Sequence, residues 1–127
     1  AGNAAAAQYQ AICRSLAGRF PNLKMIAITQ RRYLSANHNL LSGVLWEGDH
    51  FYVAPQYEAI PIVDRVGGGD AFASGLIYGL LTYPDRQAAL DYAAAAFCFK
   101  HTIWGDFSLA RPAEIERLVQ EVAGRLR

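Results

Sequence analysis

The sequence has little net charge, few cysteines and no long hydrophobic run. Its 12 basic and 11 acidic residues leave a formal net charge of +1, which argues against a dedicated nucleic-acid binder because few phosphates could be neutralised. The longest apolar stretch, residues 71–81, is far below the ~20 residues of a membrane-spanning helix. Residues 1–7 lack the basic and apolar regions of a signal peptide, so we expect a cytoplasmic protein without membrane partners.

Isolated metal-ligating side chains do not form a recognisable site in this sequence. The two cysteines, Cys13 and Cys98, lack C-x-x-C spacing and lie in apolar helical patterns, which predicts core thiols in a reducing compartment. His50 lies in a predicted turn without a second ligand at useful spacing, which favours an exposed polar residue over a metal site. With 53% hydrophobic residues, the chain can form one globular domain or part of one.

Alternating helix and strand patterns predict an α/β fold. Helical patterns occur at four places: residues 4–19, 68–81, 85–100 and the stretch behind Pro112. Strand-like runs also occur at four places: residues 23–29, 40–46, 51–54 and 57–63. The second and third runs flank a glycine turn and predict a hairpin. The first run predicts a buried strand of a parallel sheet, with Thr29 and Arg31 at its ligand-binding carboxyl end.

The most informative stretch is residues 64–70, with the sequence Asp-Arg-Val-Gly-Gly-Gly-Asp, between a strand-like run and a helix. Gly67, Gly68 and Gly69 leave no side chain between the backbone and a ligand. The first N–H groups of a helix are unpaired and lie at the positive end of its dipole. The stretch therefore predicts an anion site suited to phosphate.

Asp70 adds a carboxylate at a place where it would repel a bound phosphate. One explanation is catalysis, in which the carboxylate takes a proton from an attacking hydroxyl while the glycine amides hold the transferring phosphoryl group. The other is that Asp70 caps the helix, for which aspartate is well suited. The local sequence alone leaves both explanations open.

Residues 64–70, continued by Ala-Phe-Ala-Ser-Gly-Leu, resemble the C-terminal signature of the PfkB (ribokinase-like) carbohydrate kinases, usually Asp-Thr-x-Gly-Ala-Gly-Asp. The variant found here is similar to the 2-keto-3-deoxygluconate kinase branch. The resemblance implies a ribokinase-like, three-layer α/β/α fold of Rossmann-like type. It further implies that Asp70 is the catalytic base and that the amides of Gly67, Gly68 and Gly69 form the anion hole.

The same resemblance implies a site for ATP. Thr29 matches a threonine that lines the nucleotide phosphates, whereas Arg31 stands where most of the family has glycine. The 2-keto-3-deoxygluconate kinase branch shares this arginine and a following Ser-Ala-x-x-Asn pattern, which residues 35–39 resemble. Arg31 is suited to bind phosphate, and the alternative is a solvated loop charge.

The resemblance also implies which residues border the adenine. The third predicted helix and the loop after it lie near the base in the family, which places Ala96, Phe97, Lys100 and His101 there. The alternative is that the small residues of this helix serve helix packing alone.

The family holds a monovalent cation, usually potassium, and magnesium. Asp64 and the carbonyl of Val66 match two ligands of the monovalent ion, and oxygen ligands suit it. The alternative for Asp64 is a helix cap or a partner within the turn. Magnesium is organised in the family by an Asn-x-x-Glu motif that this sequence lacks.

Complete family members have about 300 residues, or roughly two domain lengths. We therefore expect residues 1–127 to be the C-terminal nucleotide-binding and catalytic portion, inactive alone, of a kinase that uses ATP and magnesium and dimerises through a lid outside this chain. The implied reaction is phosphorylation of a sugar-acid hydroxyl, foremost that of 2-keto-3-deoxygluconate to its 6-phosphate. Other PfkB kinases, acting on fructose, ribose or a nucleoside, and a non-catalytic nucleotide-binding module remain as alternatives.

Overall fold

A computed structural model describes residues 2–59 and 61–125, and within them the chain forms four helices and one four-stranded sheet. The elements in chain order are α1 (Gly2–Arg19), β1 (Ile26–Ser35), β2 (His38–Glu47), β3 (His50–Val53), β4 (Tyr57–Ala59), α2 (Gly68–Thr82), α3 (Arg86–Lys100) and α4 (Pro112–Arg125). All four predicted helices are confirmed. None of these helices is long and apolar enough to cross a membrane.

The sheet is antiparallel throughout the described residues, so the predicted parallel strand at residues 23–29 is wrong. β2 is central, with β1 along one edge and both β3 and β4 along the other. β1 and β2 are joined by residues 36 and 37 alone, and so short a connection can join only antiparallel strands. The predicted β2–β3 hairpin is confirmed. The predicted strand at residues 57–63 is shorter, since β4 ends at Ala59 and Ile60 lies outside the described residues.

Helices cover both faces of the sheet. Leu41 and Leu45 of β2 are fully buried in the main core. The helix α3 contributes a long run of buried residues to the same core. Side chains alternate between the two faces of a strand, so Val44 lies on the opposite face, where it is also fully buried. α1 contacts β2 and buries Cys13. The order α1, sheet and α3 gives the three layers that were predicted.

The packing of α2 against α3 depends on glycine. A Cβ at Gly79 would lie 2.8 Å from the Cα of Ala89, and one at Gly75 would lie 3.2 Å from the Cα of an α3 alanine. These two glycines therefore permit a close approach of α2 to α3. α2 is not buried on all sides, because Ile77 and Leu81 are 61% and 84% exposed.

Both cysteines are buried and unpaired, as core thiols should be. The thiol of Cys98 donates a hydrogen bond to the carbonyl of Glu58 at 3.2 Å. Burial raises the pKa of the Cys98 thiol to about 12, with the neighbouring Glu58 carboxylate as a smaller cause in the same direction. The thiol is therefore protonated and unreactive at neutral pH.

Candidate active site

Residues 64–70 form the turn that begins α2. Gly67 is the N-cap and has φ 78° and ψ 4°, a left-handed conformation that glycine adopts without steric cost. A Cβ at Gly67 would in addition lie 2.5 Å from the carbonyl oxygen of Asp106. Both the backbone angle and the available space therefore require glycine at this position.

Asp70 lies in the first turn of α2 and is exposed. The N-cap position belongs to Gly67, and no side chain makes a capping hydrogen bond there, so the alternative that Asp70 is the cap is wrong. Within the part of the chain that the structure describes, no hydrogen bond or ion pair involves the Asp70 carboxylate. This carboxylate is therefore available to a ligand.

The glycine amides are not equivalent. The Gly68 amide donates to the carbonyl of Arg65 at 3.3 Å, so the predicted anion hole of three glycine amides loses this donor to the turn itself. The amides of Gly67 and Gly69 have no acceptor among the described residues. The same holds for the amide of Asp70, a donor that the sequence did not indicate. A Cβ at Gly69 would meet no atom within 4 Å, so a ligand can approach this amide.

Asp64 connects the turn to the loop that follows α3. Its Oδ1 accepts the Val66 amide and its Oδ2 accepts the Gly105 amide, both at 3.0 Å. These two bonds, that of Val66 first, lower the pKa of the Asp64 carboxyl. The amides of Val63 and Asp64 also donate to the carbonyl of His101, at 2.8 and 3.2 Å. The role of Asp64 as a turn partner is thus observed, and its role as a cation ligand stays a prediction.

Lys100 and His101 are fully buried at the end of α3. The Lys100 ammonium donates to the carbonyl of Ile103 at 3.0 Å, and His101 Nδ1 lies 2.7 Å from the carbonyl of Phe97. A side chain with no exposed surface cannot contact a nucleotide directly, so the predicted contact of these two residues with the adenine does not fit the structure. The sequence could not show that the helix end turns inward.

Arg31 lies in the middle of β1, not at a strand end, because its register partner is Leu41 of β2. Its Nη2 donates to His101 Nε2 at 2.8 Å. Its guanidinium also lies 5.6 Å from the Phe97 ring centroid and 5.9 Å from that of Tyr33, within cation–π range. The alternative of a solvated loop charge is therefore wrong, and the prediction that Arg31 meets phosphate stays open.

His101 is a neutral hydrogen-bond acceptor. Arginine can only donate, so Nε2 accepts from Arg31 and Nδ1 carries the proton that it donates to the Phe97 carbonyl. Burial lowers the pKa of His101, and the positive charges of Arg31, Arg65 and Lys100 lower it further. Three positive charges thus act on a residue that lies against the glycine turn.

Two cavities form a trough beside Asp70. The first, about 270 Å³, is lined by Gly67, Asp70, Ser74 and residues 106–108. The second, also about 270 Å³, shares Ser74 with the first and reaches Ala96 of α3. Of the four residues predicted near the adenine, Ala96 is the one that lines these cavities. A larger cavity of about 360 Å³ includes Tyr83, at the opposite end of α2 from Asp70.

Two further polar residues lie on β1 and β2. Thr29 is exposed opposite Gly43, two residues before Arg31 and so on the same face of β1. Asn39 is fully buried, and neither polar atom of its side-chain amide has a hydrogen-bond partner among the described residues. Asn39 is opposite Tyr33, which places it on the same sheet face as Arg31. The pattern at residues 35–39 included this asparagine but gave it no role.

Comparison with known proteins identifies the fold of this chain. No family model matches the sequence. A solved 2-dehydro-3-deoxygluconokinase from Thermotoga maritima is 43% identical with a TM-score of 0.81, over 88% of this chain and 34% of that protein. A solved PfkB family carbohydrate kinase from Listeria grayi is 33% identical with a TM-score of 0.79, over 84% of this chain and 33% of that protein. The chain has the ribokinase-like fold of PfkB carbohydrate kinases.

The sequence similarity extends to a curated kinase. The 2-dehydro-3-deoxygalactonokinase of Haloferax volcanii is 34% identical over 73 residues, which are 58% of this chain and 23% of that protein. The chain thus spans about a third or less of each of these PfkB relatives, and the similarity is to their C-terminal part.

The described part of this PfkB-like chain contains no group of three or more His, Cys, Asp or Glu side chains that could hold a metal ion. His50 is exposed and stacks on Tyr52, with 6.2 Å between the ring centroids. Its interpretation as an exposed polar residue is confirmed.

Proposed function

We propose that the complete protein containing this chain transfers the γ-phosphoryl group of ATP to a hydroxyl of a sugar acid, foremost 2-keto-3-deoxygluconate, giving the 6-phosphate. One observation carries the proposal: the exposed Asp70 carboxylate has no partner among the described residues and shares its helical turn with unpaired amides. The named activities of the relatives, kinases of 2-dehydro-3-deoxy sugar acids, support the substrate class.

Asp70 acts as the general base. Its carboxylate takes the proton of the attacking hydroxyl as the bond from that oxygen to the γ-phosphorus forms. The bond from the γ-phosphorus to the bridging oxygen breaks, and ADP leaves with that electron pair. The amides of Gly67, Gly69 and Asp70 donate to the phosphoryl oxygens, where negative charge must be stabilised.

The nucleotide occupies the trough beside Asp70. Arg31 contributes a fixed positive charge for a phosphate, since the fork geometry of guanidinium matches phosphate oxygens. Thr29 lies two residues away on the same face of β1 and contributes a hydroxyl donor. Ala96 forms part of the wall of the cavity that continues from Asp70 along α2. Its small side chain leaves space there for the adenine of the nucleotide.

This chain offers ligands for the proposed potassium ion but not for the proposed magnesium ion. Magnesium, when bound, would neutralise charge on the nucleotide phosphates, and we expect its protein ligands outside this chain, because the Asn-x-x-Glu motif that the resemblance implies for magnesium does not occur in this sequence. The Asp64 carboxylate has lone pairs beyond the two that its amide bonds use, so Asp64 and the Val66 carbonyl can also hold a potassium ion. The cytoplasmic location and the homodimer stay predictions for the complete protein.

A substrate panel tests this proposal. The complete protein is assayed for ADP release with ATP, magnesium and one acceptor at a time: 2-keto-3-deoxygluconate, its galactonate epimer, fructose, ribose or adenosine. We expect the largest kcat/KM with a 2-keto-3-deoxy sugar acid, because the relatives act on that class. A preference for a neutral sugar or a nucleoside would indicate a different PfkB kinase. ATP binding without turnover on any acceptor would indicate a binding module.

A further inference from the structure

Three residues that are distant in the sequence meet behind the glycine turn. Arg31 Nη2 donates to His101 Nε2 at 2.8 Å. A Cβ at Gly68 would lie 3.0 Å from His101 Cε1 and 3.1 Å from Cε2 of Phe97. Because Cε1 and Nε2 are bonded neighbours in the imidazole ring, the Arg31 guanidinium binds the ring next to the edge that faces Gly68.

We propose that His101 is a positioning residue that holds the Arg31 guanidinium beside the glycine turn, so that it binds a phosphate of the nucleotide; this rests on the function proposed above. Arginine has five N–H donors, and among the described residues a single one is used, by His101. The rings of Phe97 and Tyr33 restrict the guanidinium further. The remaining donors are available to a ligand in a fixed orientation, which lowers the entropic cost of binding.

The chemistry of His101 suits this role. The ring must be neutral to accept from Arg31, and its Nδ1 proton is fixed on the Phe97 carbonyl at 2.7 Å. The charged groups that face it are Arg31 from β1, Arg65 from the turn before α2, and Lys100 from its own helix, and all three disfavour a second proton. His101 is fully buried, so it acts on a nucleotide only through Arg31.

Gly68 makes this arrangement possible. At 3.0 Å from His101 Cε1, an added methyl group would force the imidazole ring to move. At Gly69, by contrast, an added Cβ would meet nothing within 4 Å. The middle glycine of the three is therefore required by the ring that positions Arg31, and not by the ligand.

Titration calorimetry of the complete protein with ATP tests the proposal through four variants. The variants are Arg31→Ala, His101→Asn, their double variant and His101→Gln. In His101→Asn the shorter side-chain amide can still donate to the Phe97 carbonyl but offers no acceptor at the Nε2 position. In His101→Gln the longer side chain can bring its carbonyl oxygen to that position. We expect Arg31→Ala and His101→Asn each to raise the Kd for ATP on the order of tenfold, and His101→Gln to retain most of the affinity.

The double variant provides the decisive comparison. If His101 acts through Arg31, adding His101→Asn to Arg31→Ala raises the Kd no further. Arg32→Ala is the matched control, because the exposed Arg32 lies on the other face of β1, and it should leave the Kd unchanged. Unfolding temperatures of all variants show whether each one folds.

Additive effects of the two substitutions on the Kd would overturn the positioning role. So would a lower unfolding temperature of His101→Asn with an unchanged Kd, which would identify a purely structural link between β1 and α3. Sugar-acid turnover is measured separately on the unaltered protein. Coupled Kd values without turnover would overturn the proposed function alone, turnover without coupling would overturn this inference alone, and no ATP binding would overturn both.

Discussion

At the scale of single residues, three consecutive glycines meet three different physical demands. Gly67 has a positive φ that other residues rarely adopt. Gly68 leaves room for the His101 ring, and Gly69 leaves open space in front of a free amide. A substitution to alanine is therefore expected to strain the backbone at Gly67, to displace the imidazole at Gly68 and to obstruct the proposed phosphate at Gly69.

The buried His101 makes the stability of the protein depend on pH. Its folded-state pKa lies below the usual 6.5, so between these two values the unfolded chain binds a proton that the folded chain does not. The free energy of unfolding is therefore expected to fall as the pH drops from about 6.5 toward the folded-state pKa, and to be retained above 6.5. Denaturant unfolding between about pH 5 and pH 8 measures this, and His101→Gln should reduce the slope. If the free energy of unfolding depends on pH equally steeply in His101→Gln, His101 is not the cause of the pH dependence.

The sequence predicted the local features of the candidate site better than the contacts between its residues. The amides of Gly67 and Gly69 that lack acceptors among the described residues, and the exposed carboxylate of Asp70, follow from local backbone chemistry, which a sequence motif records. The burial of Lys100 and His101 depends on how the end of α3 packs against the turn, and no local pattern encodes that. The buried Asn39 amide likewise becomes visible only when the strands are paired.

At the scale of elements, the contact between α2 and α3 sets the direction of the turn that carries Asp70. Phe72, in the second turn of α2, packs edge-on against Phe97 of α3 with 6.1 Å between ring centroids. Further along, glycine faces the backbone of α3 at distances that no side chain could occupy. The amides at the start of α2 that lack acceptors among the described residues therefore belong to a helix that α3 holds along most of its length.

Gly79→Ala tests this contact. Its Cβ would lie 2.8 Å from the Cα and 2.9 Å from the carbonyl oxygen of Ala89, and backbone atoms cannot move aside as a side chain can. We expect the free energy of unfolding, measured by chemical denaturation, to fall by about 1–3 kcal/mol. Gly18→Ala in α1 is the control, since its Cβ would meet nothing within 4 Å; it should be neutral or slightly stabilising. Equal effects of the two substitutions would contradict the packing role.

The strand β1 shows where a sequence pattern misleads. The apolar run at residues 23–29 predicted a buried parallel strand, but β1 starts at Ile26 and continues through polar residues to Ser35. Its partner β2 supplies the hydrogen bonds and the buried side chains, while much of β1 is exposed. Pairing with a neighbour, which a single strand's composition does not record, decided both the length and the orientation of β1.

At the scale of the whole molecule, the layered arrangement brings the candidate site together from three places in the chain. The sheet supplies Arg31, the end of α3 supplies His101, and the turn before α2 supplies the amides and Asp70. The order of helices and strands predicted the α/β class, and the resemblance carried by residues 64–70 implied the ribokinase-like layers. The strand orientation and the junction of these three parts required the structure, because they depend on contacts between residues as far apart as 31 and 101.

The turnover of Asp70→Asn in the complete protein tests most directly whether Asp70 is the general base. It is compared with the turnover of the unaltered protein and of Asp49→Asn, which changes an exposed carboxylate in the β2–β3 turn. If Asp70 is the general base, kcat of Asp70→Asn falls roughly 10²- to 10⁴-fold, while the Kd for ATP changes about twofold or less and Asp49→Asn retains full turnover. A kcat of Asp70→Asn close to that of the unaltered protein would show that this carboxylate does not remove the proton during phosphoryl transfer.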